Sequence, residues 1–246
     1  MHRRTVLTSI GAALAASALA QAQTPPATGA QAKEKIAILG TGRLGQALAK
    51  CWVRTGHPIV FGSRTPDDAR VKNVAHDLGA AVSVATLAQA AAQADVVVFA
   101  LPWLAVRGLI PAMGDLTGKI VVDPMNAALK LVDGYPAPPD IATSVSEELQ
   151  ALVPGARVVK AFNTPTAKNI MDPARAGGHV SIPLAGADAA AKSRVAALVA
   201  EIGLEPVDTG PLIAARYIEA MFLVSVGYVI YTKGRFFEFH LVPVKT

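Results

Sequence analysis

From Glu34 onward the chain alternates between short runs rich in Val and Ile and longer Ala- and Leu-rich stretches whose apolar positions recur at helical spacing. Such a change of period, repeated along the chain, is the pattern of βαβ units feeding a parallel sheet. It predicts strands over Lys35–Leu39, Pro58–Phe61, Ala81–Val84, Asp95–Leu101, Lys119–Asp123, Arg157–Phe162, His179–Ala185 and Leu204–Val207. Between them it predicts helices over Arg43–Thr55, Thr65–Leu78, Thr86–Ala92, Trp103–Met113, Ser144–Leu152, Asp188–Ile202 and Pro211–Tyr231. Runs such as Val96-Val97-Val98-Phe99 and Ile120-Val121-Val122 are apolar without alternation, as central strands covered on both faces should be. The Pro- and Gly-rich stretches Gly134 to Pro139 and Pro173 to Gly178 read as loops crossing the sheet ends.

Two segments stand apart from this pattern. At the N-terminus His2-Arg3-Arg4 precede a mostly apolar run, Val6 to Ala20, which ends in small residues with the Ala-x-Ala spacing of a cleavage site. Residues 1–22 therefore read as an export signal and 23–33 as a flexible Pro/Ala linker, leaving 34–246 as the folded domain. The pair Arg3-Arg4 resembles a twin-arginine signal, an address for export of already folded proteins, so the expected location is periplasmic or extracellular. Near the C-terminus, Ala220 to Tyr231 is almost unbroken apolar sequence, shorter than a bilayer span; burial against the core or a partner subunit is expected, and no membrane contact after signal removal.

Composition adds mainly exclusions. With 52% hydrophobic residues in 246 the chain can bury a sizeable core. The single cysteine, Cys51, excludes an internal disulfide and a multi-cysteine metal site, and its place in an apolar helical stretch suits a buried core thiol. The formal charge is +5, and residues 1–22 hold two arginines and no acid, so the remainder carries +3. That mild, scattered excess does not argue for nucleic acid. The histidines His57, His76, His179 and His240 are far apart along the chain, and no metal site is expected.

The chemistry is concentrated after the first strand. Gly40-Thr41-Gly42-Arg43-Leu44-Gly45 fits G-x-G-x-x-G where the mechanism requires it, between a strand and the helix it opens. In this reading Gly40 permits the tight turn, Gly42 lets the backbone approach a pyrophosphate, and Gly45 allows close helix-on-strand packing. The fold class that follows is α/β: a doubly wound, mostly parallel Rossmann-type sheet with helices on both faces and a C-terminal helix. Where dinucleotide folds that prefer NAD carry an Asp or Glu for the ribose 2′-hydroxyl, this chain has Gly62-Ser63-Arg64-Thr65. Ser63 and Thr65 can donate hydrogen bonds, and the Arg64 guanidinium can grip a 2′-phosphate bidentately, so NADP(H) is the expected cofactor.

Ligands of such sheets bind beyond the carboxyl ends of the strands near the switch point. The residues placed there are Leu101, Pro102 and Trp103, Pro124-Met125-Asn126, and Asn163-Thr164-Pro165. Pro102 and Trp103 offer an apolar wall, while Asn126, Asn163 and Thr164 offer neutral hydrogen-bonding groups suited to a carboxamide or a planar acceptor. None is an obvious general acid, and no catalytic residue is assigned. Lys160 stands near these strand ends, but its place within a strand favours a structural role.

Five ordered segments together resemble the deazaflavin-dependent NADP oxidoreductase family. They are Lys35-Ile36-Ala37-Ile38-Leu39-Gly40, Gly56-His57 with Gly62-Ser63-Arg64, Leu101-Pro102-Trp103, Lys160-Ala161-Phe162-Asn163-Thr164 and Asp208-Thr209-Gly210-Pro211-Leu212. The NADPH domain of the six-transmembrane metalloreductases is similar. The resemblance runs from about Lys33 to about Ala220 and implies hydride exchange between NADP(H) and a flavin-like or deazaflavin-like co-substrate, in a homodimer. It also implies that Thr41, Arg43 and Leu44 join the phosphate loop and that Ser63 and Arg64 take the 2′-phosphate. The tail with Phe236-Phe237-Glu238-Phe239-His240 matches no element of that family. The rival reading is a non-catalytic NADP(H)-binding module, or the nucleotide half of a two-component metalloreductase, since a fold does not fix a function.

Overall fold

The computed structural model describes residues 33–137, 142–242 and 244. The signal read at 1–22 and the linker read at 23–33, apart from Lys33, lie outside the described residues. Both faces of the first strand, β1 (Ile36–Leu39), are sealed: Ile36 and Ile38 point into one apolar cluster, Ala37 and Leu39 into another. The same division holds for Val96 and Val98 against Val97 and Phe99 in β4 (Val96–Phe99), which is why these strands are apolar at every position.

Around β1 the chain winds as the pattern predicts. Helix α1 (Arg43–Arg54) leads to β2 (Ile59–Ser63), α2 (Ala69–Leu78) to β3 (Val82–Thr86), and α3 (Leu87–Ala92) to β4. The second half adds α4 (Trp103–Leu109), β5 (Ile120–Asp123), a small hairpin β6 (Leu131–Val132) and β7 (Tyr135–Pro136), α5 (Val145–Leu152) and β8 (Arg157–Lys160). It ends with α6 (Ala167–Met171), β9 (Ser181–Gly186), α7 (Ala189–Glu201), β10 (Glu205–Asp208) and α8 (Ala215–Tyr231). The eight-stranded sheet has the order β10-β9-β8-β5-β4-β1-β2-β3. Both β2 and β4 pair in parallel with β1, so the chain reverses its direction of growth there and opens a crevice at their carboxyl ends.

Several expectations need correction. Strand β9 runs antiparallel to β8, with Val159 opposite Gly186 and Lys160 opposite Ala185, while β10 pairs in parallel with β9. The β8–β9 connection holds only the five-residue α6 and a 3-10 turn at Pro173–Ala176 instead of a long crossover helix, so the chain re-enters the sheet from the end at which it left. Both elements occupy sequence read as loop. Helix α2 starts at Ala69, not Thr65, because the Asp68 side chain accepts from the Arg70 amide and caps the helix there. The last turn of the helix expected to end at Met113 is 3-10, with Pro111 in its first positions. The segment expected to loop from Gly134 instead closes the hairpin, with positive φ at Asp133 (51°) and Gly134 (78°), the pair a type I′ turn requires.

The C-terminal helical run Leu212–Tyr231 matches the helix read at Pro211–Tyr231, but whereas its apolar stretch from Ala220 was read as shorter than a bilayer span, the run's 20 residues, with mean hydropathy 1.6, are enough by length and composition to cross a membrane. In the fold its inner side is committed to protein, with Ala215, Ile218, Glu219 and Gly227 buried. Gly227 lies so close to Tyr135 of the hairpin that a Cβ there would stand 2.5 Å from the phenol oxygen.

On the opposite side of the sheet α1 is anchored by Trp52. Its ring is fully buried, meets Phe162 edge-on at 5.8 Å, and its Nε1 donates to the Leu198 carbonyl at 3.0 Å. Trp52→Ala should cost about 3–5 kcal/mol, the scale of a large aromatic deleted from a packed core. Denaturant unfolding of the variant checks this, and a loss under about 1 kcal/mol would mean that the site collapses around the gap.

Candidate active site

The phosphate loop is built by close approach. At Gly40 φ is +112°, and a Cβ would fall 2.4 Å from the Ala100 carbonyl oxygen; at Gly45 it would fall 2.3 Å from the Gly40 carbonyl oxygen. Only glycine fits either position. Gly42, the N-cap of α1, differs: no atom lies within 4 Å of where its Cβ would be, and no side chain caps the helix. The opening of α1 thus presents uncapped amides and a helix dipole to open space, the arrangement that receives a phosphate.

Two clefts flank this loop. The first, about 590 Å³, is lined by Gly40, Thr41, Ser63, Arg64, Thr65 and Leu101, all expected from sequence, together with Gln46, Asp68 and Arg70. Ser63 Oγ accepts from the Thr65 amide at 3.1 Å, which leaves its hydroxyl hydrogen available to a ligand. Sequence reasoning missed Arg70. Asp68 holds its guanidinium at 2.9 Å, so a second cation faces the same cleft, and its place in the first turn after the second strand was the available signal.

The second cleft, about 820 Å³, is lined by Gly42, Arg43, Leu44, Leu101, Pro102, Asn126 and Asn163 among the expected residues. Pro124, Met125 and Pro165, also expected there, complete that set, and the fold adds Phe162, Lys168, Asn169, Arg175 and, from the unplaced tail, Phe236. Three expected residues belong to neither cleft. Gly45 is buried under the loop, Thr164 is buried beside Asn163 without lining either space, and Trp103 packs into the core, contributing instead to a separate 230 Å³ cavity shared with Asn126. Trp103 starts α4 immediately after Pro102, which turns its side chain inward.

Asn126 and Asn163 hold each other across the second cleft. Asn163 Nδ2 donates to Asn126 Oδ1 at 3.0 Å and to the Ile218 carbonyl at 3.1 Å, and Asn126 Nδ2 donates to the Asn163 carbonyl at 3.0 Å. Asn163 Oδ1 is buried with no hydrogen-bond partner among the described residues. An acceptor desolvated without a donor is costly, so this asparagine is held in the wall at the expense of stability. Next to it Phe162 sits at φ +62°, a left-handed conformation that a bulky residue adopts at a cost on the order of 1–3 kcal/mol. Its ring is nevertheless pinned by Trp52, and the strained turn carries Asn163 into the cleft.

Beneath these residues lies a buried charge cluster. Lys160 Nζ is 2.8 Å from Asp123 Oδ2, 2.8 Å from Glu219 Oε1, and donates to the Met125 carbonyl at 2.7 Å. Asp123 in turn accepts from the Met125 amide at 2.8 Å and from Ser146 Oγ at 2.6 Å. Lys160 is therefore structural, as expected, and holds the Pro124-Met125-Asn126 turn that walls the cleft. His57, in the turn before β2, bridges the Glu34 carbonyl at 2.9 Å and the Glu201 carboxylate at 2.8 Å. Cys51 is the expected buried thiol; burial raises its pKa, with Arg54 opposing.

Burial also pushes the Glu219 carboxyl above its usual range; Lys160 pulls it down and Asp123 adds to the lift. The folded protein thus binds this proton more tightly than the unfolded chain, so the associated stability is full below about pH 4 and is lost as pH rises through the elevated value. Glu219→Gln cannot ionise, and its stability relative to the unsubstituted protein should therefore improve as pH rises from about 4 and level off once Glu219 is ionised in both states. Denaturant unfolding across that range checks this; a difference independent of pH would show that Glu219 titrates alike in both states.

Comparison with known proteins agrees with this geometry. The family described as NADP oxidoreductase, coenzyme F420-dependent, matches residues 35–127. Among solved structures, a protein from Arthrobacter sp. FB24 provisionally assigned as an F420-dependent NADP-reductase is 32% identical. The alignment covers 85% of this chain and 100% of that one, with a TM-score of 0.76. A hypothetical protein from Sinorhizobium meliloti is 31% identical, with 86% and 96% covered and a TM-score of 0.64. The metalloreductase STEAP3 of Rattus norvegicus is 30% identical over 187 residues; these are 76% of this chain, which spans 36% of that longer protein. The full-length agreement with the Arthrobacter protein, together with the family match over the phosphate loop, shows that the chain belongs to the coenzyme F420-dependent NADP oxidoreductase family.

Proposed function

We propose that this protein is an NADP(H)-dependent reductase that exchanges hydride between the nicotinamide and a flavin-like or deazaflavin-like ring in the second cleft. The observation that carries the reading is the continuity of the two clefts. Gly40 and Thr41 line one, Gly42, Arg43 and Leu44 line the other, and Leu101 lines both. A dinucleotide with its pyrophosphate on the loop would have one nucleotide on each side.

The residues present fit that group. Arg64, with Ser63 and Thr65, would take the 2′-phosphate by charge-assisted hydrogen bonds. The Asn126 and Asn163 side chains, both in the wall of the second cleft, would face the carboxamide. When bound, the reduced nicotinamide supplies the hydride, chemistry that belongs to the cofactor. Leu44, Pro102, Met125, Phe162 and Phe236 provide an apolar enclosure that excludes water and holds two planar rings face to face. Among the described residues the lining holds no carboxylate, histidine or tyrosine, and Lys168 is its one ammonium, so direct hydride transfer, which needs no protein acid, suits the site. Arg43, Lys168 and Arg175 line the same cleft without a compensating acid, which favours an acceptor bearing negative charge.

The same proposal includes a homodimer. Tyr217, Val224, Tyr228 and Tyr231 form an exposed stripe along α8, the face a second copy would cover. Val224→Glu should then sediment as a monomer where the unsubstituted protein sediments as a dimer, and an unchanged profile removes that face from consideration. Export of the folded, cofactor-bearing protein through residues 1–22 rests on Arg3-Arg4 and the apolar run after them. It is tested by fractionating producing cells and reading the N-terminus of the recovered protein.

Arg64→Ala should weaken NADPH binding by about 1–3 kcal/mol and leave NADH binding nearly unchanged. Nicotinamide fluorescence titrations measure both, and equal losses would reject the assignment. Flavin or deazaflavin added to the NADPH complex should then be reduced. Binding without oxidation would point to the non-catalytic module.

A further inference from the structure

At the sheet edge formed by β9 and β10, three side chains far apart in sequence meet. His179 lies just before β9, Glu205 opens β10, and His240 comes from the C-terminal tail. His179 Nδ1 is 2.6 Å from Glu205 Oε1, and His240 Nε2 is 3.4 Å from Glu205 Oε2. The two imidazoles stack with centroids 4.5 Å apart and 18° between their planes. The ligand atoms of all three residues lie within 4.8 Å of one another. Distance along the chain, the ground on which a metal set was not expected, is removed by the fold.

The surroundings hold this cluster in place. The Ser181 amide donates to the Phe239 carbonyl at 2.8 Å, the Leu241 amide donates to Ser181 Oγ at 2.8 Å, and Ser181 Oγ donates to Glu205 Oε2 at 3.4 Å. The tail is thus laid along β9 by its backbone, and one hydroxyl connects it to the carboxylate. The three side chains remain 38% to 59% exposed, so an ion reaches them without any opening of the fold.

We propose that His179, Glu205 and His240 bind one divalent transition-metal ion of the zinc class and that the ion clamps the C-terminal tail to the sheet. Two imidazole nitrogens and one carboxylate are a donor set for zinc, copper(II) or nickel, whereas calcium and magnesium select oxygen ligands. Three protein ligands leave a fourth tetrahedral position for water. Two ligands at zinc bonding distance stand about 3.4 Å apart, so rotation of exposed side chains through roughly an ångström completes the site. Ser181 then orients the ligating carboxylate from outside. The clamp reaches the second cleft, because the tail it fixes also brings Phe236 to the cleft wall. Further along, Glu238 Oε1 accepts from the Thr166 amide at 3.0 Å and from Asn169 Nδ2 at 2.6 Å, so the tail caps the start of α6.

The test uses the untagged chain stripped with chelator, titrated with zinc chloride by calorimetry, and followed by hydrogen exchange over residues 236–241. One zinc per chain should bind. His179→Gln and His240→Gln should weaken binding by more than the roughly 10-fold expected of Ser181→Ala, and His76→Gln, an exposed histidine outside the cluster, should bind as the unsubstituted chain does. Zinc should slow exchange of the tail amides in the unsubstituted chain and not in the two histidine variants. Absence of stoichiometric zinc binding, or full affinity in both His179→Gln and His240→Gln, overturns the site. Binding that leaves tail exchange unchanged overturns the clamp.

Discussion

An ammonium with no access to water lies at the carboxyl end of β8, and the shape of the reacting face follows from how its charge is met. A buried cation is tolerated only when acceptors surround it. Lys160 finds them in three separate parts of the chain: Asp123 at the end of β5, the Met125 carbonyl in the turn that follows, and Glu219 on α8. None of these elements can shift without exposing the charge to an incomplete shell. The cluster therefore sets where the turn 124–126 lies, and Asn126, at its end, is held against Asn163. Replacing the whole cluster by hydrocarbon would often be neutral for stability, which makes its role one of fixing geometry more than of adding free energy.

Around that fixed centre the molecule separates two kinds of recognition. Under the proposed function, nucleotide recognition falls to β1, β2 and the loop between β1 and α1, where Gly40 and Gly45 allow the close backbone approach and Arg64 and Arg70 line the cleft. The second cleft, which the proposed function gives to the second reactant, draws instead on residues after β8, on α6 and on the tail, a mixed set of short elements. The strained Phe162 marks the seam between them. It is fully packed against Trp52 of α1 on one side and walls the second cleft on the other.

The sequence made the first of these halves legible and the second only partly so. Central strands are recognisable because burial on both faces demands uninterrupted apolar residues, and the phosphate loop because Gly40 and Gly45 stand where no side chain fits and Gly42 leaves the helix opening clear. Strand direction leaves no such mark: β9 carries the same apolar run whether it runs up or down, and only the short content of the β8–β9 connection decides. The hairpin was signalled by Asp133-Gly134, but its strands are two residues long and have no periodicity to detect. Trp103 was misplaced because one residue decides whether a side chain after Pro102 faces the cleft or the core. The tail has no regular structure, so nothing local could show that Phe236, Glu238 and His240 meet three different parts of the fold.

The placement of Phe236 has an evolutionary consequence. One wall of the second cleft is supplied by a segment held through a few hydrogen bonds at the sheet edge, outside the hydrophobic clusters that stabilise the sheet. Changes of length or residue type in that segment can reshape the space for the second reactant while leaving both the sheet and the nucleotide loop intact. Under the proposed function, variation in this one segment would alter which partner fits the cleft at little cost to folding, because substitutions and insertions are best tolerated where the backbone lies outside the packed core.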